Sequence, residues 1–106
     1  MKTRVVNLYR EEYDVYIGRP GKGQSGKWGN PFSKGTREEN IAAFREWILQ
    51  QPDLLLDLHE LKGKRLGCFC APKACHGDVL AELAEAVYPE IDYDPIIRDK
   101  TPKGYL

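Results

Sequence analysis

The chain has 106 residues, 42% hydrophobic and 30% charged, with sixteen Lys plus Arg against sixteen Asp plus Glu. That length supports one domain with one core, expected to span 1–106 with its body over about 3–88 and a tail over 89–106. Balanced charge removes the general electrostatic reason for non-specific nucleic-acid binding, and no apolar run reaches the roughly 18–20 residues of a membrane span.

The first residues, MKTRVVNLY, are too short and too charged for a signal peptide. Thr3–Tyr9 is β-branched and apolar and reads as a strand. Asp14–Gly18 is a second short apolar run, a strand expected to be buried on both faces. Arg19–Gly35 holds five of the ten glycines and two of the seven prolines, so no regular element fits it. A loop of this length in a small domain is usually functional; Trp28, Pro31 and Phe32 are apolar enough to anchor it.

Thr36–Glu39 matches a capping box, and the helix it opens runs to about Leu49 with Ile41, Phe44, Trp47 and Ile48 on one face. Pro52 opens a second helix over Asp53–Leu61, striped by Leu54, Leu55, Leu58 and Leu61 and ended by Gly63. Arg65–Cys70 is the third strand and Ala71–Ala74 a turn. The last helix begins at Cys75 or His76, buries Val79, Leu80, Leu83, Ala84 and Val87, and closes at Pro89. In the tail, Ile91, Tyr93, Ile96 and Ile97 are expected to pack on the body. Apolar strands alternating with helices predict an α/β fold, a single small Rossmann-like domain whose short, mostly parallel sheet is flanked by helices. Ligands of such sheets sit beyond the carboxyl ends of the strands. If the second and third strands are parallel neighbours, the loops at 19–35 and 71–76 meet at one crevice.

The mouth of the last helix, Cys75-His76-Gly77-Asp78, concentrates chemistry. Unpaired N–H groups and partial positive charge at a helix N-terminus attract phosphate or carboxylate. A cysteine there has a lowered pKa and is a candidate nucleophile, with His76 as acid or base and Asp78 orienting. Gly77 lets a ligand approach the backbone. The plainer alternative makes Asp78 a complement to the helix dipole, Cys75 a space-filler and His76 a surface residue.

Three cysteines, an odd count within residues 68–75, make a poor disulfide framework and fit a cytoplasmic protein with reduced thiols. Cys68, Cys70, Cys75 and His76 also form a set of donors of the kind zinc takes. Strand geometry opposes the simplest version. Side chains at i and i+2 stand about 6.6 Å apart on an extended strand, whereas two sulfurs on one zinc stand about 3.8 Å apart. Cys68 and Cys70 share a metal only if the strand breaks at Cys70, and adjacent Cys75 and His76 rarely face one ion. A Cys70–Cys75 redox pair is a third option, because closing so short a span is cheap.

The 19–35 loop supplies glycine N–H groups with Arg19, Lys22 and Lys27, a combination suited to phosphate. Gly21, Gly26 and Lys27 fit Walker A letters, and Gly21, Gly23 and Gly26 fit GxGxxG, yet no helix pattern follows directly, as either motif requires. Trp28 with Asn30 offers an aromatic plate for a base and an amide for its edge. Alternatively, Trp28, Pro31 and Phe32 only pin the loop.

The combination of DVYIGR, WGNPF, a capped helix with a tryptophan near its end, and LGCFCAPKACHGDVLAELA resembles a small uncharacterised domain family common in bacteriophages and bacteria, over roughly residues 4–88. The strand–turn–helix segment is also similar to a second uncharacterised group, in which a strand ending in Cys-x-Glu precedes Cys-His-Arg on a helix. Here Cys70 stands in the glutamate place and Gly77 in the arginine place. The resemblance implies a Rossmann-like domain with a polar site at Arg19, Asn30, Cys68, Cys70, Cys75, His76 and Asp78, and its phage company implies a connection to nucleotides or nucleic acid.

These readings predict a phosphate-bearing small molecule, a nucleotide or nucleoside derivative, held between the Arg19–Phe32 loop and the Cys75–Asp78 helix mouth. Arg19, Lys27, Trp28, Gly29, Asn30, Cys70 and Gly77 would bind it, and Cys75, His76 and Asp78 would carry thiol or imidazole chemistry. The alternatives are a non-enzymatic sequestering or inhibitor protein of phage type, a small zinc-stabilised interaction domain, and a nucleic-acid binder using Lys22, Lys27, Lys34 and Arg37 interleaved with Trp28 and Phe32.

Overall fold

Three short strands form one parallel sheet in the computed structural model, which describes residues 2–21 and 23–86. β1 is Arg4–Asn7, β2 is Val15–Tyr16 and β3 is Arg65–Cys68, in the order β1-β3-β2. Arg4 pairs with Arg65 and Asn7 with Cys68 on one side of β3, and Val15 pairs with Leu66 on the other. The β1–β2 connection carries no helix. It crosses the sheet at Gly67, where an added Cβ would stand 2.6 Å from the Tyr13 ring, so the missing side chain makes room for the crossing. Asp14 staples the return, accepting from the Arg65 backbone N–H at 2.8 Å and from its guanidinium at 3.1 and 3.0 Å.

The strands are shorter than predicted, for local reasons. β1 stops because Asn7 turns the chain: its Oδ1 accepts from the Tyr9 N–H at 2.9 Å and its carbonyl accepts from Arg10 at 2.9 Å. β2 is an edge strand whose Val15 and Tyr16 are only half-buried, which corrects the expectation of two covered faces. Ile17, just beyond it, is fully buried and donates to the Gly67 carbonyl at 3.0 Å. β3 stops at Cys68 rather than Cys70, because the Cys70 N–H turns back onto the Cys68 Sγ at 3.4 Å.

α1 covers Arg37–Ile48, and its predicted capping box is present: Thr36 Oγ1 accepts from the Glu39 N–H at 3.1 Å while Glu39 Oε1 accepts from the Thr36 N–H at 2.9 Å. Phe44 and Ile48 are fully buried, with Ile41 and Trp47 packed at the margin. Pro52 opens α2, Pro52–Leu56, at the position where its missing N–H costs nothing. The predicted helix over 53–61 breaks at Asp57 into a 3₁₀ turn, Leu58–Glu60, which still sends Leu58 and Leu61 into the core. Gly63, at φ +76°, makes the reversal into β3. α3 covers His76–Glu85 and buries Val79, Leu80 and Ala84, with Leu83 half-buried. Glu85 ties the end of α3 to β1, accepting from the Thr3 N–H at 2.8 Å and its hydroxyl at 2.6 Å.

The core lies between the sheet and α1 and α3, around Ile17, Phe44, Ile48, Leu61, Leu66, Val79 and Leu80. Each such side chain contributes about 1.5–3 kcal/mol by leaving water. Val87, Pro89 and the tail residues Ile91, Tyr93, Ile96 and Ile97 lie outside the described residues, as does Lys22. Among the described residues, no helix is long and apolar enough to cross a membrane.

Candidate functional site

Parallel pairing of β2 with β3 brings the segments leaving their carboxyl ends together. Between them lies a cleft of about 410 Å³. Gly18, Arg19, Asn30, Phe32 and Ser33 come from the first loop, and Cys68, Phe69, Cys70, Cys75 and His76 from the second and the start of α3. Arg37, Asn40 and Ile41 of α1 form the remaining wall. Arg19 and Phe69 also border an adjoining hollow of about 500 Å³ that contains Tyr13 and Tyr16, so an aromatic surface continues past them.

Among the described residues, Arg19 and Arg37 are the cleft's charged side chains, and no carboxylate lines it. Both guanidiniums are positioned by backbone carbonyls. Arg19 donates to Asn30 at 3.4 Å and Phe32 at 3.3 Å, and Arg37 donates to Ala74 at 3.0 Å. A guanidinium has five N–H donors, so each arginine keeps donors for a ligand and its full charge. Sequence reasoning gives Arg37 only as part of the Lys22, Lys27, Lys34 and Arg37 cluster of the nucleic-acid alternative. A signal was present, however: a cation in the first turn of a helix opposes the helix dipole and needs some other reason to be there.

The three thiols converge. Cys68 and Cys75 are buried and Cys70 is half-exposed; all three are free, and their sulfurs lie within 4.8 Å of one another. The break in β3 after Cys68 removes the strand-geometry objection to Cys68 and Cys70 facing one point. The Cys68 and Cys75 sulfurs stand 3.6 Å apart. The Cys68 and Cys75 thiols share one hydrogen bond in which either sulfur can be the donor, and Cys68 also accepts from the Cys70 and Ala71 backbone, which together favour its thiolate and lower its pKa. Cys75 is pushed up by its hydrogen bond with Cys68 and by burial, although it caps α3 and its sulfur accepts from the Gly77 N–H at 3.3 Å. The acidity expected of Cys75 alone therefore belongs to the hydrogen-bonded Cys68–Cys75 pair, whose proton the two sulfurs share.

His76 does not join the thiols. It is buried, and its Nε2 stands 2.7 Å from the Ile17 carbonyl, which fixes the proton on that nitrogen. Burial holds its pKa below the ordinary histidine range, so the ring is neutral, stacked edge-on against Phe44 at 5.0 Å. This corrects the four-donor set of Cys68, Cys70, Cys75 and His76, and it removes Nε2 as an acid or base toward a ligand.

Other predicted residues have structural duties. Asp78 turns back to accept from the Cys75 N–H at 3.1 Å, completing a capping box, and does not line the cleft. A Cβ on Gly77 would stand 2.6 Å from Ile17 Cδ1 and 2.9 Å from Val5 Cγ2, so this glycine seats α3 on the sheet rather than admitting a ligand. Asn30 is a loop staple, donating to the Asn40 carbonyl at 3.2 Å and accepting from the Phe32 N–H at 2.9 Å. Gly29 lies against Gly18, whose carbonyl would be 2.8 Å from an added Cβ. Trp28 is 3% exposed and belongs to the core; it does not present a plate to a ligand. Lys27 lies over that indole and pairs with Asp57 at 2.8 Å and Glu60 at 3.1 Å, away from the cleft.

Fold and site together define a small α/β domain with a thiol-walled, arginine-lined cleft at the carboxyl ends of a parallel sheet. The chain belongs to the family described as domain of unknown function DUF4326, whose model matches residues 2–86. It is 36% identical over 93 residues to the "Uncharacterized 12.4 kDa protein in nrdA-td intergenic region" of Enterobacteria phage T4, covering 82% of each chain. It is 34% identical over 97 residues to the "Uncharacterized protein R718" of Acanthamoeba polyphaga mimivirus, covering 76% of this chain and 73% of that one. No solved structure matches the chain. The resemblance to a phage-associated family of uncharacterised proteins is thereby shown.

Proposed function

We propose that the cleft binds a phosphate-bearing small molecule of the nucleotide or nucleoside-derivative class. The observation that carries this reading is the charge of the lining: two arginines and, among the described residues, no carboxylate, in a chain whose net charge is zero. Arg19 and Arg37 would take the phosphate through their remaining donors. The base would lie on Phe32 or Phe69, the latter half-exposed and continuous with Tyr13 and Tyr16, in place of the buried Trp28. We also read the sheet as Rossmann-like, supported by its parallel strands and by the position of the cleft beyond their carboxyl ends. Free thiols support a reducing, cytoplasmic setting.

Calorimetric titration with inorganic phosphate, a nucleoside monophosphate and the matching nucleoside tests the proposal. The monophosphate should bind most tightly. Arg37→Ala should weaken it by about 10–100-fold, because a hydrogen bond to a charged group is worth about 1.5–3 kcal/mol. Equal affinity for nucleoside and monophosphate, or unchanged binding in Arg37→Ala, would overturn it.

A further inference from the structure

We propose that Cys68, Cys70 and Cys75 form a three-thiolate site for a thiophilic divalent cation, Zn²⁺ in the first instance, with its fourth coordination position open to the cleft. The three sulfurs lie within 4.8 Å of one another, and the Cys68–Cys75 pair is already at 3.6 Å. Tetrahedral zinc with bonds near 2.3 Å needs sulfur separations of about 3.8 Å. One edge of the ligand triangle therefore stands at its bound length, and the others close by no more than about 1 Å. Cys70 can make that movement, because its half-exposed side chain lies in the turn after β3 rather than in the sheet.

The ligand count follows from what surrounds the sulfurs. His76, the adjacent imidazole, is committed to the Ile17 carbonyl, and Asp78 is committed to the Cys75 N–H. No fourth Cys, His, Asp or Glu completes the cluster among the described residues. All three cysteines line the cleft, so the remaining position faces it. Three protein ligands plus one open place is the arrangement of a zinc site that binds water or substrate, whereas structural sites are closed by four. Zn²⁺ with three thiolates carries one net negative charge, which Arg19 and Arg37 in the same cleft offset. Cation capture stands on the thiols alone. Contact between the cation and a phosphate oxygen rests on the reading of the cleft given above.

The test uses the purified, reduced full chain stripped by chelator and titrated with Co²⁺ as a spectroscopic probe. One Co²⁺ per chain should bind, with thiolate-to-cobalt charge-transfer bands and the intense visible bands of tetrahedral geometry, and Zn²⁺ should displace it. Cys70→Ala should lose affinity by about a hundredfold or more, since even outer-shell changes cost 10–100-fold. Its circular dichroism without metal should match the parent, showing that the loss is not unfolding. His76→Gln, judged the same way to be folded, should keep stoichiometry and spectrum. Inorganic phosphate added to the cobalt form should shift the visible bands. Absence of uptake, an octahedral spectrum, or unchanged affinity in Cys70→Ala overturns the site. Uptake with bands indifferent to phosphate overturns the open position. Titration of the metal-free chain with a nucleoside monophosphate tests the cleft separately, so the two failures are distinguishable.

Discussion

Gly77→Ala separates the two roles a glycine at a helix mouth can have. An added Cβ would stand 2.6 Å from Ile17 Cδ1, 2.9 Å from Val5 Cγ2 and 3.2 Å from Cys75 Sγ. Ile17 is fully buried beside β2 and has no empty direction to retreat into, and Val5 is held by its place in β1, so α3 must lift or tilt. Overpacking of this kind costs about 1–3 kcal/mol. Replacing a helical glycine by alanine returns at most about 1 kcal/mol. Taking the middle of the cost and the full return, a net loss of about 1 kcal/mol remains, equivalent to a fall in Tm of about 4–8 °C for a domain of this size. Urea unfolding followed by circular dichroism should show a lower midpoint with an unchanged slope, which assigns the change to stability rather than to compactness. An equal or higher midpoint would refute the packing argument and return Gly77 to the role of admitting a ligand to the backbone.

Trp28→Ala should cost about 3–5 kcal/mol, the range for removing a buried aromatic, and measured unfolding free energies would contradict the core assignment if they fell by less than about 0.5 kcal/mol. Thr36→Ala removes the hydroxyl that accepts the Glu39 N–H and should lower stability by about 1 kcal/mol, read as a shift of the urea midpoint. Asp14 is held down to about 2 from 3.8 by hydrogen bonds and charge from Arg65. A depressed carboxyl stabilises the fold above its unfolded pKa and loses that contribution as pH falls through its folded one. Asp14→Asn should therefore be less stable than the parent at neutral pH, with the two curves converging between about pH 4 and pH 2; a difference independent of pH would reject the linkage.

Periodicity and capping chemistry made the helices and the sheet legible, because both are local. The Thr36–Glu39 capping box, Pro52 at a helix start and Gly63 at a reversal each act within four residues. The break in β3 was not legible, since it depends on the Cys70 N–H finding the Cys68 sulfur, and that break decides whether the thiols can share an ion. The meeting of the 19–35 and 71–76 loops followed from parallel pairing alone. Which of their side chains would face the cleft followed only in part: Arg19, Asn30, Cys70, Cys75 and His76 line it as expected. Composition also suggested Trp28 and Lys27, but the large indole was worth more to the core, and Lys27 pairs instead with Asp57 and Glu60. Phe69 and Arg37 took their places at the cleft, one from a strand end and one from a helix start 32 residues away by the numbering.

Net charge hid the cleft for a related reason. Arg4 pairs with Glu11, Arg45 with Glu82 and Arg65 with Asp14, so these cations carry their neutralising partners with them. Arg19 and Arg37 are held by carbonyls instead, and a carbonyl aims a guanidinium without cancelling its charge. The carboxylate nearest in sequence to the thiols, Asp78, is turned onto the Cys75 N–H and kept out of the cleft. A neutral chain thus presents a cleft that is locally cationic among the described residues and walled by three thiols. Whole-chain charge governs non-specific attraction over a Debye length of about 8–10 Å. It says little about a cleft whose two cations act on a ligand at contact distance.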